Sequence, residues 1–122
     1  MFDADSGEEV TKFDDLRYVH DLEGPIGFWS IHNTEVRGDR AYSAWYSHGI
    51  VALDLSPLAA ATPGNPVMVG QFVPEADVPP STEFLPPGVP IVWGVFTGAS
   101  GLVYVSDIAS GLWIVDPTGP AE

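Results

Sequence analysis

Three histidines are the residues whose chemistry is easiest to name: His20, His32 and His48. Neutral imidazole is the commonest protein ligand for a transition metal and a frequent general base. Their spacings of 12 and 16 residues match no compact ligand motif. The chain has no cysteine, which excludes disulfides and thiolate metal sites. The stretch Asp3-Ala4-Asp5-Ser6-Gly7-Glu8-Glu9 is rich in oxygen ligands but lacks the spacing of a calcium loop, and it reads as a solvated acidic tail. Serine, histidine and acid are all present, yet no G-x-S-x-G elbow marks a nucleophile.

The composition bounds the scaffold that must position these side chains. The chain has 122 residues, 45% of them hydrophobic, enough for one core. It holds 13 Gly and 12 Pro, which favours many short strands over long helices. The net charge is −13, and the four basic residues (Lys12, Arg17, Arg37, Arg40) all fall in the first 40 positions. Nucleic acid is repelled by such a surface and is excluded as a partner. No apolar run reaches 18 residues, so no membrane span is expected. The start, MFDADSGEEV, is acidic where a signal peptide is basic and apolar, so an export signal would have to lie outside this chain.

Residues 1–15 carry six acidic residues and read as a flexible tail. From residue 16 the pattern turns to β. Candidate strands are 16–22, 30–36, 40–45, 50–55, 67–73, 91–97, 102–106 and 112–116, each short and bounded by turn residues. Gly38-Asp39 and Gly98-Ala99-Ser100-Gly101 join strands tightly. Residues 56–66 form a connection with room for one helical turn. Residues 74–90 hold six prolines and read as a surface loop with polyproline character.

The strands are written twice. YSAWYSHGIVALD at residues 42–54 returns as YVSDIASGLWIVD at residues 104–116, so that Tyr42 meets Tyr104, Gly49 meets Gly111 and Asp54 meets Asp116. At the same offset of 62, Ile31-His32-Asn33 meets Trp93-Gly94-Val95. Without the Pro-rich loop the period is about 45 residues, the scale of a propeller blade. An aspartate needed once per repeat points to structure, and Asp54 and Asp116 are each followed by turn formers that they can cap. Glycine at 49 and 111 points to positive φ. One such meander cannot bury its two apolar faces alone, so it must stack on a neighbour.

GLWIVD at 111–116 resembles the signature of the LVIVD-repeat β-propellers, and GIVALD at 49–54 is a looser version of it. The resemblance spans residues 17–117. It implies an all-β fold of about two four-stranded antiparallel blades, a partial β-propeller. The first blade covers about 30–73, the Pro-rich loop 74–90, the second blade 91–117, and 118–122 are a tail. Strand 30–36 would be innermost. It further implies an extracellular or periplasmic interaction module that needs no cofactor. The rest of the ring would come from further blades of a parent chain or from a homo-oligomer. A protein or small ligand at the propeller face would meet His32, Glu35, Trp45, Trp93 and Asp107, positions where the copies differ or which line the inner strands. Residues 74–90 are the candidate contact segment. Similarity to selenium-binding-protein-type propellers implies an alternative, a metal-dependent enzyme holding a transition metal through His32.

Overall fold

A computed structural model describes residues 5, 6, 9, 27–60, 64–75 and 88–118. The fold is all-β, with two antiparallel sheets. The first contains β1 (Asn33–Arg37), β2 (Arg40–Ala44), β3 (Ile50–Asp54) and β4 (Val67–Phe72) in that order. The second contains β5 (Val92–Thr97), β6 (Val103–Asp107) and β7 (Gly111–Val115). A short 3₁₀ turn, Ser56–Ala59, occupies the β3–β4 connection where a helical turn was expected. The first sheet therefore has the expected four strands, while the second has three among the described residues. Candidate strand 16–22 and most of the Pro-rich loop lie outside the described residues.

Turn chemistry sets the hairpins. Between Arg37 and Arg40 only Gly38 and Asp39 intervene, and Gly38 takes φ +57 at the first of the two turn positions, the type II′ pattern that suits strand twist. The β5–β6 turn is one residue longer. The Gly98 N–H donates to Leu102 O at 2.9 Å, the Gly101 N–H donates to Gly98 O at 3.0 Å, and Gly101 takes φ +92, a type I turn closed by a left-handed residue. That extra residue corrects the sequence alignment of the inner strands. Glu35 lies opposite Tyr42 and Phe96 opposite Tyr104, so β1 and β5 are equivalent at 61 residues while β2 and β6 are equivalent at 62.

The core lies between the sheets. Ala44 and Ile50 of the first sheet, flanked by Tyr42, pack on Val92, Val95, Val103 and Val105 of the second, flanked by Trp113 and Val115. The repeat equivalents of Tyr42, Ala44 and Ile50 are Tyr104, Ser106 and Leu112, which alternate with Val103, Val105 and Trp113 and so point to the other face. Equivalent sheets thus stack in the same sense, front against back. A second cluster, Ala41, Val51 and Leu53 with Trp45, Leu55 and Met68, lies on the opposite face of the first sheet.

The repeated landmarks do what their types suggest. Asp54 Oδ1 accepts the Ser56 N–H at 3.0 Å, and Asp116 Oδ1 accepts the Thr118 N–H at 2.9 Å and its hydroxyl at 2.6 Å. Bonds to Ser56 hold the Asp54 carboxyl below the ordinary 3.8, and bonds to Thr118 do the same for Asp116. Gly49 (φ +80) and Gly111 (φ +91) are both left-handed. Gly49 also has no room, since a Cβ there would sit 2.1 Å from Phe72 O, whereas Gly111 faces open space.

Two outcomes follow for stability. Gly49→Ala meets both backbone strain and a clash with β4, and should cost about 3 kcal/mol or more in urea unfolding. Gly111→Ala meets strain alone and should cost about 1–2 kcal/mol; equal costs would contradict this account. For the aspartates, a folded-state pKa below the unfolded one stabilises above the unfolded value, and the benefit is lost as pH falls through the folded value. Asp54→Asn with Asp116→Asn keeps the turn acceptors but not their titration. The double variant should lose less stability than the parent as pH drops below 3.8, read by urea midpoints across an acid series.

Candidate functional site

The inner strands meet side by side, and their contacts are made by side chains. In the β5–β6 ladder Gly98 pairs inward, so by alternation the amides of Val95 and Thr97 point away from β6. Asn33 Oδ1 accepts the Val95 N–H at 2.7 Å. Glu35 Oε2 accepts the Thr97 N–H at 2.8 Å and its hydroxyl at 3.0 Å. Arg37 donates to the carbonyls of Gly98 and, at 3.1 Å, of Ala99. His32 Nδ1 lies 2.5 Å from Trp93 O, a bond in which the ring must donate, leaving Nε2 as the lone-pair nitrogen. The partners rise together along both strands, so β1 and β5 run parallel. Alternation puts Asn33, Glu35 and Arg37 on one face of β1, which is why this strand can meet a backbone edge without a ladder of its own.

At one end of this line the aromatic side chains gather. The His32 and Trp93 ring centroids are 3.9 Å apart, His32 and Tyr46 5.5 Å, and Tyr46 and Trp93 5.9 Å. His32 and Trp93 are both exposed. Tyr46 sits in the β2–β3 turn with φ +43, and its carbonyl accepts the N–H groups of Gly49 (3.1 Å) and Val92 (3.0 Å). The strained turn therefore fastens the start of β5 to the first sheet.

Of the five residues expected at a ligand face, the structure brings His32 and Trp93 together and puts Glu35 farther along the same strand pair. Trp45 lies elsewhere, against the second cluster of the first sheet. Asp107 is buried and serves the fold: Oδ1 accepts the Ile91 N–H at 2.5 Å, and Oδ2 accepts the Ser110 N–H at 2.7 Å and hydroxyl at 2.5 Å. The Ser110 oxygen in turn accepts the Trp113 indole N–H at 2.7 Å. In the first repeat His48 stands where Ser110 stands in the second. It is 2% exposed, 5.4 Å from the Trp45 ring and 5.7 Å from Trp29. The Gln71 amide donates to its carbonyl at 2.9 Å and meets Nδ1 at 3.1 Å. Two copies of one turn are thus filled by different means, a carboxylate–hydroxyl–indole chain in one and an imidazole among indoles in the other.

Asn33, Arg37, Thr97, Tyr46 and Gln71 were not legible as contributors, because each acts through a partner far away in the chain. For Asn33 and Arg37 the one sequence signal is the alternation of polar residues on a strand otherwise expected to face a neighbour. Among the described residues no group of three or more His, Asp or Glu converges as a metal-ligand set. Two of the four basic residues are also committed internally, Arg37 to the turn carbonyls and Arg40 to Asp54 at 3.8 Å, an exposed pair of small energetic weight.

Charge-assisted bonds of the Glu35 kind are worth about 1.5–3 kcal/mol, comparable with burying one valine. Glu35→Ala should lower stability by about that much and speed hydrogen exchange at the Thr97 amide, while Glu35→Gln, which keeps an acceptor, should fall between. Exchange at Thr97 unchanged in Glu35→Ala would show that the carboxylate does not hold the second sheet.

Comparison with known proteins finds no matching family model, no similar curated protein and no similar solved structure.

Proposed function

We propose that the chain is a non-catalytic repeat module of the β-propeller type, resembling LVIVD blades, that works as an exported interaction scaffold. The observation that carries this reading is the stacking of two repeat-equivalent sheets front against back, with inner strands parallel and joined at matching heights. That is the relation expected between neighbouring blades about a common axis. Two sheets do not close a ring, so on this reading the remaining blades come from a parent chain or from further copies. Its working surface is the rim where His32, Tyr46 and Trp93 gather, an aromatic patch suited to an apolar or cationic group on a protein or small ligand. Export is supported by the acidic surface and by the resemblance alone.

A metal-dependent reading rests on one nitrogen, His32 Nε2. The described residues supply no converging partners for it, so the set does not fit a catalytic metal and no step is derived through one. Metal analysis separates the readings. Protein purified without chelator, and then offered copper, zinc or iron, should retain far less than one equivalent, with no change in His32→Ala. Stoichiometric metal that is lost in His32→Ala would overturn the scaffold reading in favour of the enzyme.

A further inference from the structure

Three rings from three separate places in the chain meet at the rim: His32 just before β1, Tyr46 in the β2–β3 turn and Trp93 on β5. His32 covers one face of the Trp93 indole at 3.9 Å between centroids, yet 48% of Trp93 is exposed. Tyr46 stands edge-on to Trp93 at 65°.

The backbone is strained at this point. Among the described residues Tyr46 is the one residue other than glycine with positive φ. Strain of this kind collects at functional sites. It is not a demand of the repeated turn, because the equivalent residue 62 positions on, Ile108, has no positive φ. In the first copy the strained residue fastens β5 and also sets a phenol ring beside Trp93.

Charge selects among ligands for these rings. The chain carries 17 acidic and 4 basic residues, so its field draws cations in and repels anions. The rim suits a cation in two ways. It presents an indole, the aromatic ring that attracts cations best. It also presents the lone pair of His32 Nε2, fixed as an acceptor because Nδ1 donates to Trp93 O at 2.5 Å. Both arginines among the described residues are committed elsewhere, Arg37 to the turn carbonyls and Arg40 to Asp54, so neither supplies the cation from within. A planar guanidinium can lie on an indole and direct an N–H at a neighbouring acceptor, whereas a compact ammonium has no plane to stack.

We propose that the rim takes an arginine side chain of a partner protein, stacked on Trp93 and bonded to His32 Nε2. This rests on the interaction-scaffold reading and names the chemistry of the partner.

The test titrates the full chain into a short peptide carrying one arginine among neutral residues. A second titration uses the same peptide with citrulline, which keeps the shape of arginine and loses its charge. Upfield NMR shifts of the arginine side-chain protons report stacking on a ring and give the dissociation constant. Arginine should bind at least ~10-fold tighter than citrulline, and Trp93→Leu should lose about tenfold in affinity. Tyr46→Gly provides a second variant that does not endanger the fold, since glycine suits a φ of +43; it should weaken binding about threefold. Equal affinity for the two peptides would overturn the proposal. So would arginine binding that both variants leave unchanged, which is attraction to the acidic chain at large, and so would no binding at all. None of these three results touches the scaffold reading, which fails instead on stoichiometric metal held by His32.

Discussion

An exposed strand edge must give its amides to something, and in this protein the edge of β5 gives them to the side chains of β1. Asn33 and Glu35 meet the N–H groups of Val95 and Thr97, and Arg37 meets the carbonyls at the end of the same strand. A second ladder strand would satisfy those groups equally well but would merge the two sheets into one. Side-chain acceptors satisfy them while keeping the sheets separate and stacked, with Ala44 and Ile50 of the first against the valines of the second. Because each bond joins one residue to one amide, the arrangement also sets the height of one sheet against the other. Apolar contact alone does not discriminate among registers, since small aliphatic side chains pack on one another in several of them.

The same economy appears in the β2–β3 and β6–β7 turns. Both sit at the end of the sheet interface, both need a left-handed glycine, and both need their interior filled. The second copy fills it with the Asp107–Ser110–Trp113 chain, whose carboxylate also holds the Ile91 amide ahead of β5. The first copy fills it with His48, surrounded by Trp29 and Trp45 and met by Gln71 of β4. A buried carboxylate is tolerable there because three donors surround it. Divergence between the copies at these positions is therefore structural.

The amino-acid sequence by itself determined the all-β class, seven of the strand positions to within a few residues, the left-handed glycines at 49 and 111, and the capping aspartates at 54 and 116. These follow from local chemistry: alternation, turn propensity and a side chain that bonds two residues onward. The repeat also announced that a second sheet must cover the first. Only the tertiary structure decided how. Glu35 looks like a ligand residue in the sequence and is a clasp on Thr97; Asp107 looks like one and is a buried turn anchor; His48 looks like a candidate metal ligand and is buried inside the β2–β3 turn. The one-residue shift between inner and middle strands was likewise invisible, because it arises from a three-residue turn whose length matters only through the ladder it closes. Each of these assignments depends on a partner far away in the chain, and a sequence read residue by residue carries the donors and acceptors without saying which of them meet.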